Sequence, residues 1–189
     1  GGGGTSPAGL IFGGNPGMLT ATEEWNFTTT LNAGAWASGG NLNTGRGQMG
    51  GTGTQTAGIV FGGIPSQKAV CETYNGSSWT EVGDLNTGAQ YNVGFGTQTA
   101  AVNTNGVVSG GSDTDNTETW DGSSWTTSPA DLNTARQKAS ASNQGTTTAG
   151  LIFAGMTQPP VVTKTITESW NGSAWTEVGD MSTARSAGG

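Results

Sequence analysis

One phrase is written four times along this chain of 189 residues, and that repetition limits what the chain can fold into. It is clearest in "ETYNGSSWTEVGDLNTG" from Glu72, "ETWDGSSWTTSPADLNTA" from Glu118 and "ESWNGSAWTEVGDMSTA" from Glu168. Aligned on the second aromatic residue, the units place Trp36, Trp79, Trp125 and Trp175 at intervals of 43, 46 and 50 residues. An aromatic partner precedes each: Trp25, Tyr74, Trp120 and Trp170. Before these lie the runs "AGLIFGG" (8–14), "AGIVFGG" (57–63), "NGVVSGG" (105–111) and "AGLIFAG" (149–155). Such a period marks a stack of supersecondary units, none of which buries its apolar faces alone.

Each unit holds only strand-sized pieces. "GLIFGG" is a short apolar run closed by glycines, as in a well-buried strand. "TKTITESW" alternates at a period of two, and the Asn-Gly or Asp-Gly that follows predicts a two-residue type I′ hairpin. "SSWTEV" returns antiparallel, and a weaker strand such as "RQKASASN" crosses to the next unit. Four short strands per repeat predict an all-β fold, a β-propeller of four-stranded blades. The expected blades are 1–46, 47–89, 90–136 and 137–185. The Trp behind each hairpin is expected to pack between neighbouring blades. The tail "ARSAGG" and the head "GGGGTSPAGLIF", once joined, imitate the internal junction "GRGQMGGTGTQTAGIVF". This predicts a four-bladed ring closed by residues 186–189 against the N-terminus, the alternative being an open piece of a longer array. The start without Met reads as a processed product or a cut segment.

Composition removes several function classes. Thirteen acidic residues against six Lys and Arg give a net charge of −7, with no basic run for a nucleic-acid groove or an anionic membrane. No apolar stretch has the ~18 residues of a spanning helix, and no signal peptide is recognisable. Histidine is absent, which removes Ser-His and Cys-His nucleophile pairs and His-ligated metals. The single Cys71 excludes an internal disulfide and reads as a small buried hydrophobe. No cofactor is expected.

The repeat resembles the kelch pattern: a double glycine, a Glu-aromatic pair, a Trp, then an apolar residue and an Arg. Those roles fall on Gly13, Gly14, Glu23, Trp25, Trp36, Leu42 and Arg46 in the first unit and on Gly62, Gly63, Glu72, Tyr74, Trp79 and Leu85 in the second. In the third they fall on Gly110, Gly111, Glu118, Trp120, Trp125, Leu132 and Arg136, and in the fourth on Glu168, Trp170, Trp175, Met181 and Arg185. Ala89 stands where the second Arg belongs, and Ala154 replaces a glycine. Phrases such as "GTQTA" with "YNGSSWTEVGDLNTG" also resemble kelch-like repeats of marine bacteriophage virion proteins. That resemblance implies a structural or adhesive role in a fibre, tail or capsid decoration.

The candidate sites divide into what repeats and what does not. Glu72, Glu118, Glu168, Arg46, Arg136 and Arg185 recur once per blade, which suits pairing between strands or blades rather than an active site. Asn26, Asn75 and Asn171 begin glycosylation sequons, yet Asp121 keeps the turn while destroying the sequon, so the turn is the preserved feature. "GSDTDNTE" offers Asp113, Asp115, Asn116 and Glu118 as oxygen ligands for calcium, without the glycine and distal Glu of a full loop. "DGSSW" (121–125) has the flavour of a sialidase Asp-box with altered spacing. The loops after each glycine pair all differ, and the first unit inserts "FTTTLNAGA" before Trp36. A common scaffold with divergent loops places recognition there, on Gln67, Lys68, Asp113, Asp115, Asn116 and Gln158.

The function that the resemblance to phage repeats implies is a non-enzymatic virion module, on the particle or outside the cell. Its partners would be other virion proteins or a host-surface glycan or protein, with no nucleic acid, no membrane insertion and a possible homo-oligomer. The alternatives are a secreted glycan-binding lectin or a glycan-processing enzyme on the same scaffold.

Overall fold

The computed structural model describes residues 2–5, 8–14, 17–28, 33–142 and 145–186. Their regular elements are all β, arranged as four four-stranded antiparallel sheets and two two-stranded ribbons, Ala89–Gln90 with Val107–Val108 and Met156–Thr157 with Val162–Thr163, with no helix among the described residues. The first sheet is Gly2–Thr5, Ala8–Phe12, Thr22–Thr28 and Ala33–Ser38. The second is Gly50–Thr54, Ala57–Phe61, Cys71–Tyr74 and Trp79–Val82. The third is Val93–Thr97, Ala100–Thr104, Thr117–Trp120 and Trp125–Thr127. The fourth is Ser140–Ala141, Gly150–Phe153, Thr167–Trp170 and Trp175–Glu177. Strands follow chain order within each sheet, so every sheet is a meander. The strand that crosses from one repeat becomes the first strand of the next sheet. Only two residues of "RQKASASN" (Ser140–Ala141) join that ladder, and only the last four of "TKTITESW" do.

Glycine at the end of the second strand follows from backbone geometry. The residues after that strand are Gly13–Gly14, Gly62–Gly63, Asn105–Gly106 and Ala154–Gly155, and the first of each pair has φ of 58°, 73°, 54° and 63°. The second then donates its N–H to the carbonyl of Arg46, Ala89, Arg136 and Arg185 respectively. This corrects the third unit. Its second strand is Ala100–Thr104, and Asn105–Gly106, not Gly110–Gly111, takes the glycine-pair place. Asn visits the left-handed region more readily than other non-glycine residues, so the pair is disguised, and Gly110–Gly111 lie in the connecting loop.

The hairpins also differ from the expected type I′ turn. Tyr74 pairs with Trp79, leaving the four residues 75–78 as the loop, and only Gly76 among them has positive φ. Asn75 Oδ1 accepts from the N–H groups of Ser77 and Ser78 at 3.0 and 2.9 Å, holding the loop as an Asx turn. In the first sheet the inserted residues lengthen the hairpin by three pairs beyond Trp25–Trp36, ending at Thr28 and Ala33. Residues 29–32 lie outside the described set.

The first strands lie side by side in series: Gly2–Thr5 by Gly50–Thr54, that by Val93–Thr97, and that by Ser140–Ala141. Three apolar junctions result. Leu10, Phe12 and Leu42 meet Val60, Tyr74 and Trp79; Ile59, Phe61 and Leu85 meet Ala101, Trp120 and Trp125; Phe95, Val102 and Leu132 meet Ile152, Trp170 and Trp175. At each, a phenylalanine edge meets the tryptophan on the next sheet's fourth strand, Trp79, Trp125 or Trp175, with centroids 5.4, 5.2 and 6.2 Å apart. Thr104 stands where Phe61 would recur, and Phe95 supplies the ring from the neighbouring strand instead.

Among the described residues no comparable contact joins the fourth sheet's first strand to the first sheet's, so the described sheets form an open arc without the expected closure. The first sheet already draws all four strands from its own segment, leaving nothing for a C-terminal strand to complete. Residues 187–189, assigned to closure, lie outside the described set. Trp36 is correspondingly 49 % exposed, against 5 %, 5 % and 7 % for Trp79, Trp125 and Trp175. It packs between no sheets.

Candidate interaction surfaces

The repeated polar residues build one device three times. The loop leaving each sheet bends at Asn-Thr and presents N–H groups to a glutamate of the next sheet. Glu72 accepts from Asn43 N at 2.7 Å, Asn43 Nδ2 at 3.0 Å and Thr44 N at 3.2 Å, while Arg46 Nη2 pairs with it at 2.9 Å. Glu118 accepts from Asn86 N at 2.8 Å and Thr87 N at 2.9 Å, but Ala89 leaves it without an arginine. Asn86 Nδ2 at 3.1 Å and Asn116 Nδ2 at 3.2 Å are its further donors. Glu168 accepts from Asn133 N at 2.7 Å and pairs with Arg136. All three glutamates and both arginines are fully buried. Burial pushes the Arg46 guanidinium below its ordinary pKa, with Glu72 opposing that shift. A carboxylate so saturated with donors and closed to water staples sheets; it is not poised for acid–base work.

The "GTQTA" turns add a second tie. Gln55 Nε2 reaches back to Trp25 O at 3.2 Å and Asn26 Oδ1 at 3.0 Å, and Gln98 Nε2 reaches Tyr74 O at 2.7 Å. Asn26 thus lies within a strand, whereas Asn75 and Asn171 sit on exposed hairpin loops with Oδ1 committed to the turn. Asp121 makes the same turn, and the donors of Ser124 and Ser123 hold its carboxyl down to about 2.

Cys71 fills a position that is threonine in the other sheets. Thr22 Oγ1 accepts from Trp79 Nε1 at 2.9 Å, and Thr117 Oγ1 from Trp175 Nε1 at 3.0 Å. The Trp125 indole N–H faces the Cys71 thiol, a weak acceptor, and makes no ordinary hydrogen bond among the described residues. Cys71→Thr should therefore raise stability by about 1 kcal/mol, the net worth of one such bond, read as a higher midpoint in urea. Burial also pushes the native thiol up to about 12. A thiol reagent at pH 8 should leave it unmodified until the chain unfolds.

Antiparallel meanders put the second-to-third-strand loops and the sheet-to-sheet connectors at one end of the array, and the hairpins and Gln turns at the other. All six predicted loop residues lie at the first end. Asp113 Oδ1 accepts from Gln137 Nε2 at 2.8 Å and its Oδ2 from Gln158 N at 2.7 Å, tying the third sheet's loop to the fourth's. Glu118 is engaged in its staple, and no group of three acidic, His or Cys side chains converges as for a metal ion among the described residues. Asp115 and Asn116 are half-buried in this loop, and Gln67 and Lys68 are half-buried in the second sheet's loop. Gln67 has φ of 42°. Part of the first sheet's loop, residues 15–16, lies outside the described set. The fourth sheet's loop carries an exposed apolar tip, with Val161 at 67 % and Val162 at 42 %.

The sequence reading missed a row at this same end. Gln48, Tyr91 and Lys138 occupy one position on successive connectors, with φ of 57°, 57° and 52°. Tyr91 N donates to Gln48 O at 2.7 Å, Lys138 N to Tyr91 O at 3.3 Å, and Lys138 Nζ lies 4.5 Å from the Tyr91 ring centroid. Non-glycine residues held in this conformation concentrate at functional sites. The signal was available: two residues past the Arg position, the repeat changes its side chain in every copy.

The last surfaces are the two ends of the arc. Gly9, Trp25 and Trp36 line an open hollow of about 400 Å³ on the first sheet, beside exposed Ile11 and Glu23. On the fourth, Leu151 and Val178 are exposed. Arg185, expected to pair between blades, is exposed and has no ion pair among the described residues.

No protein-family model matches the chain, and no curated protein matches it. What it resembles is a fold: all-β and propeller-like. Among solved structures it is similar to YjhT, with a TM-score of 0.74 and 16 % identity over 98 % of this chain. The chain spans 66 % of the YjhT chain, just under two thirds. At that identity the likeness concerns fold alone.

Proposed function

We propose that the chain is a run of kelch-like propeller blades serving without catalysis as a structural or adhesive module of a virion, in a fibre, tail or capsid decoration. Its loop end faces a host-surface glycan or protein, or a neighbouring virion subunit. One observation supports the non-catalytic part: the repeated Glu and Trp of the three junctions, with the Arg of two of them, are buried and spent on holding sheets together. The non-repeating residues, including the left-handed row and the apolar Val161 tip, gather at one end. A fixed scaffold with one variable end is how repeat folds recognise partners. The virion assignment rests on the phrase-level resemblance to phage repeat proteins.

Replacing residues 157–162 ("TQPPVV") with Gly-Ser tests the display reading. Capture on host cells or purified virion subunits should be lost while the melting temperature changes by less than about 2 °C, since these residues carry little buried surface. Unchanged capture would sink the assignment of binding to this loop.

A further inference from the structure

We propose that the fourth sheet of one copy docks on the first sheet of a second copy, continuing the array head to tail through a fourth junction of the internal kind. The argument comes from the three junctions already present. Each joins a tail face, carrying a phenylalanine, the side chain of Thr22, Cys71 or Thr117 and a donor loop ending in Arg or Ala, to a head face carrying an aromatic pair and a glutamate.

The open head carries that set unfilled. By strand register Ile11, Glu23, Trp25 and Trp36 hold the places of Val60, Glu72, Tyr74 and Trp79. Ile11 is 42 % exposed where Val60 is 0 %, and Glu23 is exposed where Glu72 is 0 %.

The open tail carries the matching set. Phe153 and Thr167 pair as Phe12 and Thr22 do, which places the ring edge and hydroxyl that a tryptophan of the next sheet meets. Its donor loop is already shaped: Met181 N donates to Thr165 O at 3.0 Å, as Leu42 N does to Thr20 O at 2.8 Å. Ser182 and Thr183 bend as Asn43 and Thr44 do, and Arg185 stands where Arg46 and Arg136 meet their glutamates. The docked junction therefore pairs Arg185 with Glu23, seats the Trp36 indole N–H on Thr167 and buries Leu151. Opposite charges and a donor–acceptor match select a second copy tail-first, and such a heterologous contact either closes a ring or extends a filament.

Sedimentation of the full chain over a range of concentrations reads this directly. The wild-type mass should rise with concentration. Trp36→Glu blocks the head and Leu151→Glu the tail, so each variant alone should stay a monomer, while their mixture forms one-to-one dimers and nothing larger. Both side chains are exposed, and an unchanged near-ultraviolet spectrum shows that the variants fold. Should either misfold, charge reversal replaces it: Glu23→Arg or Arg185→Glu alone should weaken association about tenfold, and mixing the two should restore it. A wild-type chain that stays monomeric throughout overturns the proposal. Self-association of a single blocked variant does so as well, since it would require a head-to-head or tail-to-tail contact.

Discussion

Truncating Trp79 to alanine should cost about 3–5 kcal/mol, whereas Trp36→Ala should cost less than about 1 kcal/mol. The two residues hold the same place in the repeat. Trp79 is 5 % exposed, lies 5.4 Å from the Phe12 ring and 4.9 Å from Tyr74, and donates its indole N–H to the Thr22 hydroxyl. Its removal opens a cavity between two sheets and leaves Thr22 without its donor. Among the described residues Trp36 meets no aromatic ring but Trp25, and it is half in water. Urea unfolding of dilute protein, followed by far-ultraviolet circular dichroism, separates the two cases. Equal losses would mean that the first sheet's outer face is covered in solution.

Removing the staple carboxylates should produce a graded series. Glu168→Ala leaves Arg136 as a buried charge together with the Asn133 N–H, and a broken buried pair costs about 3–5 kcal/mol. Glu118→Ala strands the N–H groups of Asn86 and Thr87 but no cation, so about 1–3 kcal/mol is expected. Glu23→Ala, at an exposed position without a partner among the described residues, should cost less than about 0.5 kcal/mol. The order Glu168, Glu118, Glu23 is the test, measured as unfolding free energies in one denaturant. A Glu118 loss as large as that of Glu168 would show that the backbone donors, rather than the ion pair, carry the staple.

Much of this scaffold was legible because the repeat speaks through several independent signals at once. The alternating runs, the Asn-Gly hairpins and the regular Trp spacing all pointed to four-stranded antiparallel units, and the pairing of Tyr74 with Trp79 follows from them. What failed had local causes. Asn105 adopts the left-handed conformation otherwise given to glycine, so the third unit's strand was read several residues late. The hairpin loop is held by a side chain, Asn75 Oδ1, which a two-residue turn rule ignores. Closure and the burial of Trp36 depend on what lies beside the first sheet, and a repeat pattern says only that each unit needs a neighbour, not that every face has one. The row Gln48, Tyr91, Lys138 is hidden for the opposite reason: a repeat shows itself in what its copies share, and this row is where they differ.

Cryo-electron microscopy of virus particles purified alongside this protein tests the proposed virion role most directly. The account predicts density for the four sheets at regular positions on a capsid, tail or fibre, with the loop end that holds Gln48, Tyr91, Lys138 and Val161 turned toward solvent or a neighbouring subunit. Particles without such density, and the chain recovered only free in the medium, would contradict it.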